Sequence, residues 1–533
     1  MDEVVLRIVA CLVTVCLFCF STLKLLGAMQ QGGYKNGNFM RWLRRKDNLQ
    51  FNRISVFALC LALVSAVTSL CFSFLGVRGA LLVSALPFLI LCLAFWWADG
   101  KYALKVPIKR TGRFYRLFAV YFLFVACISY FLIALLSFLA KWNGSEIYGL
   151  VAYVPYAIMP LLLPVLLCLA NAVEGFFENC RNKKFVKRAG QVLDESKITR
   201  IGVVGSYGKT GVKNILATLL AEKFSIIASP ESYNTPIGIA KTVYSDGFAG
   251  KEILIAEMGA RKTGDITQLC DLVKPDYVVF TGICNQHIHT FGDIEGVWAE
   301  KKQALLSGAK LAVCGDSIRE RIQKENFENV QIVFAETQEA NPEFKATETK
   351  YTLCLGTERL TVTTKLLGGA AVENITLAAK LAYALGMTAA EIQKGIEKLQ
   401  PTPHRLQLLE NNGVYILDDS YNCNPIGAQE AIAALARFEG RKCIVTPGIV
   451  ECGILEERIN GELGAKLATA NFDKVILVGD TLVGCVKDGY KAANGNEEKL
   501  TSVKTLTQAQ EALAAWVQTG DCVLFLNDLP DVY

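Results

Sequence analysis

Five apolar stretches, at residues 8–27, 54–76, 79–98, 117–140 and 148–172, crowd the first third of the sequence. Each is close to the ~20 residues that carry a helix across the hydrocarbon of a bilayer. A backbone in that setting is confined to helix or closed barrel, because no water is there to satisfy its N–H and C=O groups. A helical membrane domain over residues 1–175 is therefore expected. A cleavable signal is a poor reading of the first run, since Asp2 and Glu3 precede it and four more runs follow. Lys35, Arg41, Arg44, Arg45, Lys46 and Arg53 follow the first run, and Lys101, Lys105, Lys109, Arg110, Arg113 and Arg116 the third, whereas little beyond Arg78 and Lys141 follows the second and fourth. Basic loops stay on the cytoplasmic side, so five spans put the amino terminus outside and residues after 175, with the basic linker 176–197, in the cytoplasm. Mid-run charges are lacking, so a tether and docking platform fits this half better than a transport path. Pro155, Pro160 and Pro164 are expected to kink the fifth run.

The net charge of +5 is small for 533 residues, and the basic residues sit beside apolar runs. That argues for membrane topology and against nucleic acid as a partner. Nine of the 18 cysteines lie at or before Cys180, mostly in apolar runs where cysteine acts as a small hydrophobe; a reduced compartment is the simpler reading. The three histidines, His287, His289 and His404, all fall in the second half.

From Ile198 the pattern becomes alternating strand and helix, opening with TRIGVVGSYGKTGVKNILATLL: a buried strand, a Gly-rich turn and a helix. Gly205 and Gly208 let backbone amides of the loop Gly205–Ser206–Tyr207–Gly208 approach phosphate oxygens. Lys209 reaches terminal phosphates, and the Thr210 hydroxyl suits magnesium at the positive end of the helix. The strict phosphate-loop form fails at its first position, Val203. A second strand ends on Glu257, where a nucleotide's magnesium is commonly held, and a third ends near Asn285 and His287 before a helix carrying Lys301. In parallel sheets ligands bind at the carboxyl ends of strands, where these groups converge. Asn234 and Thr235 lie in a proline-containing polar turn between the first two strands.

The motifs GSYGKT, SYNTPIG, EMGA, the His287 to Lys301 spacing, NITLAA, HRLQ and DDSYNCNP, in this order, resemble those of the Mur ligase family over residues 198–533. The resemblance implies an α/β fold: an ATP-binding central domain, mostly parallel sheet, over 198–402 and a Rossmann-like carboxyl domain over 403–533, following the membrane domain. It implies an ATP-dependent amide-bond ligase of peptidoglycan precursor synthesis that works through an acyl phosphate. The likeness is greatest to the branch that adds D-alanyl-D-alanine to a UDP-N-acetylmuramoyl-tripeptide. By the same resemblance ATP and magnesium are the cofactors: Lys209 and Thr210 serve ATP and the first metal, Glu257 that metal, and His287 a second. Lys301, with Lys302 as its neighbour, falls where the family carries a carbamoylated lysine, and Lys209, Lys301 and His287 form the catalytic set. Asn374 would lie by adenine, Arg405 by the phosphates, Asp418 or Asp419 by ribose with Asn422 and Asn424 nearby, and Asn234 and Thr235 by substrate. Expected partners are a muramoyl-peptide precursor, D-alanyl-D-alanine or a similar amine, the lipid bilayer and other cell-wall enzymes.

Two departures stand out. Ala370 and Ala371 replace a histidine–asparagine pair of the family, and a membrane segment stands where soluble relatives carry a small uridine-nucleotide domain. A Mur-type ligase on lipid-linked precursors, or a non-catalytic nucleotide-binding scaffold, are the rival readings.

Overall fold

A computed structural model describes residues 22–44, 107–143 and 154–526 apart from 232, 286, 287, 422 and 451, with scattered positions at 11–19 and 54–97. The chain divides into two compact units, one over residues 1–181 and one over 182–531.

In the first unit, helices α1 (Leu23–Gln31), α2 (Asn36–Leu43), α3 (Gly112–Asn143) and α4 (Val154–Glu195) are the described elements, α4 running on into the second unit. Two stretches, Gly112–Leu132 in α3 and Met159–Glu195 in α4, are long and apolar enough to cross a membrane. They overlap the fourth and fifth expected runs. Only scattered positions of the second and third runs are described, and eight of the twenty positions of the first run lie outside the described residues. Helix α4 continues through Pro160 and Pro164. Phe39, Leu117, Tyr121, Leu163 and Leu167 pack an apolar core, while Leu123, Phe131 and Phe138 of α3 and Leu161, Val165, Leu169 and Phe176 of α4 are exposed. One end of the bundle is polar. Glu174, 3% exposed, accepts from Arg113 (3.2 Å) and Arg116 (3.3 Å), and Arg116 also bonds Glu178 at 2.7 Å. The Arg113 guanidinium lies 4.1 Å from the centre of the Tyr34 ring, and Asn171 donates to the Tyr34 carbonyl at 2.9 Å. A buried carboxylate is tolerable only when paired in this way. Cys16 and Cys19, with two residues between them in the first run, are free thiols.

The second unit opens with a six-stranded parallel sheet in the order β2-β3-β1-β4-β5-β6. Its strands are β1 (Thr199–Val204), β2 (Ile226–Ala228), β3 (Ile253–Glu257), β4 (Tyr277–Phe280), β5 (Leu311–Cys314) and β6 (Gln331–Phe334). Strand segments such as IGVV of β1 and ILIA of β3 are buried and carry no charge because both sheet faces are covered. On one face lie α5 (Lys209–Leu220) and the later α9 (Gly369–Ala384) and α10 (Ala389–Glu397), packed through Leu216, Ile375 and Ile392. On the other lie α6 (Pro236–Val243), α7 (Asp265–Val273) and α8 (Ile294–Lys301), through Ile239, Leu269 and Trp298. A three-stranded antiparallel sheet, β7 (Glu343–Phe344), β8 (Thr349–Leu355) and β9 (Glu358–Thr364), precedes α9.

After residue 406 a second six-stranded sheet has the order β10-β11-β15-β12-β13-β14, from β10 (Gln407–Asn411), β11 (Val414–Asp419), β12 (Lys442–Thr446), β13 (Lys474–Val478), β14 (Leu500–Val503) and β15 (Cys522–Leu526). The apolar runs VYILDD, CIVTPGI, VILVG and CVLFLND, whose pattern reads as strand, are all present as parallel strands, and β10 adds an antiparallel edge. Helices α11 (Pro425–Ala436) and α12 (Glu456–Ala470) cover this sheet.

Helix α12 crosses helix Val483–Ala492 at Gly464, where an added Cβ would lie 1.9 Å from the Val486 carbonyl oxygen. Gly464→Ala should therefore cost about 1–3 kcal/mol of local stability, read as faster amide exchange in both helices. Gly484→Ala, whose Cβ meets nothing within 4 Å, should leave exchange unchanged or slower.

Candidate active site

The loop between β1 and α5 is shaped by glycine. Gly208 begins the helix in the left-handed region (φ 72°), and a Cβ there would meet the Asn374 amide oxygen at 2.7 Å. Gly205 (φ 149°) presses so closely on Thr281 that a Cβ would stand 2.0 Å from its hydroxyl. The Gly205 carbonyl gathers two buried amines: Lys209 Nζ at 2.8 Å and Lys301 Nζ at 3.0 Å. Burial, then the neighbouring Lys209 charge, pushes the Lys301 amine down to about 7, and burial lowers Lys209 as well. Lys302 instead turns outward to Glu325, 2.6 Å away.

Strand β1 pairs with β3 so that Val203 lies opposite Glu257, which brings the end of β3 beside the loop. The Thr210 hydroxyl donates to Glu257 Oε2 at 2.9 Å and the Asn234 amide to Oε1 at 3.2 Å. Glu257 is 1% exposed. A hydroxyl and a carboxylate beside a glycine cradle fit magnesium, which takes one or two protein oxygens and completes its shell with water and phosphate oxygens. Among the described residues no group of three or more His, Cys, Asp or Glu forms a metal cage. His287, expected at a second metal, lies outside the described residues.

The carboxyl domain forms the opposite wall of a cavity of about 780 Å3. Ser206, Tyr207, Gly208, Lys209, Thr210, Asn234, Thr235, Glu257, Lys301 and Asn374 line it from the central domain, and Arg405, Asp419, Tyr421 and Asn424 from beyond the linker. Thus most of the expected residues meet in one cleft. Asn374 packs against both Gly208 and Gly211. Arg405 lies 4.6 Å over the Tyr421 ring. Burial raises Asp419 to about 6 although Arg405 opposes the shift, and it accepts from the Leu406 amide at 3.0 Å.

The structure also separates residues that the sequence left as alternatives. Asp418 is not in the lining: it is taken up by His404 Nδ1 at 2.7 Å and by the Ser420 hydroxyl at 2.6 Å, so of the two aspartates it is Asp419 that faces the cleft. His404, with no expected chemistry, thereby braces the linker at a left-handed φ of 60°. Asn424 is the cap of α11, accepting from the Ile426 and Gly427 amides at 3.0 Å each, because a helix start leaves those donors free. Asn422 lies outside the described residues. The sequence reading missed Glu373, whose carboxyl faces the cleft and is raised to about 7 by burial and then by Asp316 and Glu430. It also missed Glu430, which accepts from the Gly369 amide at 2.7 Å and so joins the two domains. Neither sits in a motif; only the fold brings them to the cleft.

Comparison with known proteins agrees with this geometry. Residues 203–382 match the Mur ligase middle domain and residues 404–527 the Mur ligase glutamate ligase domain. The chain is 28% identical over 350 residues to the UDP-N-acetylmuramoyl-tripeptide--D-alanyl-D-alanine ligase of Bacillus subtilis, covering 62% of this chain and 74% of the relative. It is 25% identical over 303 residues to that of Borreliella burgdorferi, covering 55% of this chain and 64% of the relative, just under two thirds of its length. The MurF ligase of Thermotoga maritima, crystallised with ADP, superposes with a TM-score of 0.59 at 27% identity over 66% of this chain and 81% of that one. A MurF structure from Acinetobacter baumannii shares the fold, with a TM-score of 0.60 at 22% identity, 66% and 78% of the two chains being covered. With its two domains matched in order over more than half of its length, and the cleft between them built as described, the chain belongs to the Mur ligase family.

Proposed function

We propose that this chain is a MurF-like, ATP-dependent amide-bond ligase that adds D-alanyl-D-alanine to a UDP-N-acetylmuramoyl-tripeptide, held at the membrane by its first unit. The observation that carries the reading is the cleft in which Lys209, Thr210 and Glu257 of one domain face Arg405 and Asp419 of the other. A donor carboxylate oxygen attacks the γ-phosphorus of ATP and ADP leaves; the neutral amine of the dipeptide then attacks the acyl carbon, loses its proton and expels phosphate. Lys209 and Arg405 compensate phosphate charge, and the loop amides after Gly205 orient the chain of phosphates. Magnesium held by Thr210 and Glu257 would supply further charge compensation. The enclosed cleft limits hydrolysis of the acyl phosphate. A second reading, a lipid-linked carboxyl donor, draws on the exposed apolar faces of α3 and α4.

Lys209→Ala in the full chain should lower ATP-dependent phosphate release by about 10²-fold or more, assayed with the nucleotide-linked tripeptide and D-alanyl-D-alanine. Near-normal turnover would remove the phosphate loop from the mechanism. Release only with lipid-linked muramoyl peptides would select the second reading.

Carbamoylation of Lys301 follows from its family position and from a buried amine that faces the cleft. ¹³C-bicarbonate should yield a carbamate resonance that Lys301→Ala abolishes and Lys302→Ala keeps. A resonance unaffected by Lys301→Ala would assign the modification elsewhere.

Membrane insertion rests on the apolar helices and on the basic residues that flank them. The full chain should resist extraction from bacterial membranes at alkaline pH, and Asn143→Cys should add labelling by a membrane-impermeant thiol reagent from outside the cell. Release into the aqueous fraction would reject insertion.

A further inference from the structure

Lys213 lies on α5 three residues beyond Thr210 and four beyond Lys209, so it shares their face. Long basic side chains normally thread their charge to solvent, but this one is 1% exposed. Its ammonium sits 3.6 Å from Glu257 Oε2, the oxygen that also takes the Thr210 hydroxyl, and donates to the backbone carbonyl of Glu231. Glu231 is held at a left-handed φ of 44° in the middle of the loop 229–235. That loop is tied to β3 at both ends. Ser229 donates to the Ile255 carbonyl at 2.9 Å, and the Gly259 amide donates to the Asn234 carbonyl at 2.9 Å. The Asn234 side chain returns to Glu257 Oε1. One carboxylate is thus gripped from the phosphate loop, from α5 and from the polar turn that lines the cleft through Asn234 and Thr235.

We propose that Lys213 is a positioning residue that couples the 229–235 loop, which receives the carboxyl donor, to the carboxylate that serves the nucleotide's cation. The inference rests on the ligase reading above. A divalent cation at Glu257 competes with the ammonium for Oε2 and repels it. Lys213 then leans on the Glu231 carbonyl, and the loop tightens as metal and nucleotide enter. Filling the nucleotide side in this way readies the donor side. The same charge weakens cation binding, so the residue has opposite effects on the two ligands, which a purely structural lysine would not.

The test compares Lys213→Met and Lys213→Arg in the full-length protein in detergent. Amide exchange across 229–235, measured with and without magnesium and ADP, should rise about tenfold in Lys213→Met and lose its response to the ligands, with 236–243 unchanged. The magnesium concentration that half-saturates ADP binding should fall at least about threefold, since a repelling charge is gone. KM for UDP-N-acetylmuramoyl-tripeptide should rise about tenfold with kcat within about threefold. Lys213→Arg should restore loop protection because it keeps charge and donors. Unchanged loop exchange in Lys213→Met, or a raised magnesium requirement alongside weaker donor binding, overturns the proposal. Should the unmodified protein fail to ligate, the ligase reading falls, while the exchange and magnesium measurements still decide the role of Lys213.

Discussion

Parallel pairing of β1 with β3 in the register that sets Val203 opposite Glu257 is the constraint from which the site follows. It delivers a carboxylate to the first turn of α5, where the Thr210 hydroxyl and the Lys213 ammonium both meet it. The adjoining pairing of β1 with β4 brings Thr281 and Gly282 against the loop, and the Ser206 amide donates to the Gly282 carbonyl at 2.8 Å. A one-residue slip would turn Glu257 to the other sheet face and leave it buried without a partner.

Lys213 and Lys209 stand beside that carboxylate, and Lys301 meets Lys209 at the Gly205 carbonyl. Burying cations with so little opposing charge is costly, and the lowered amine of Lys301 expresses that cost. Lys209, with Arg405 on the facing wall, suits a ligand that brings several negative charges of its own, as a nucleoside triphosphate does. The carboxyl domain completes the enclosure through a short linker. His404 and Leu406 both adopt left-handed backbone there, held by hydrogen bonds to Asp418 and Asp419. Glu430 reaches back to the amino end of α9, the helix that carries Asn374.

The first unit obeys different physics. Its exposed apolar residues would be a liability in water, and its polar cluster of buried Glu174 and Asn171 with half-buried Arg113 and Arg116 lies at one end of the bundle. That end is also where basic residues gather in the sequence. Apolar faces and a charged end are the features on which the proposed membrane insertion rests.

Local pattern was enough to read the strand, glycine turn and helix at 199–220, the acid closing β3, and four parallel strands of the carboxyl domain, because each is a property of consecutive residues. Motif order likewise pointed to residues of which most line the cleft. What pattern could not supply was direction at close quarters. Neighbouring Asp418 and Asp419 look alike in the sequence, yet alternation along β11 sends one to His404 and the other to the cleft. Lys301 and Lys302 are equivalent until the helix turns one inward to Gly205 and the other out to Glu325. Lys213, Glu373 and Glu430 carry no local signature, since their partners lie 18 to 61 residues away or in another domain. The amino-acid sequence by itself determined which elements form and where the phosphate loop lies, through hydrophobic period and glycine. Tertiary packing alone decided which of several like-charged side chains face the cleft, because burial and pairing depend on neighbours remote in the chain.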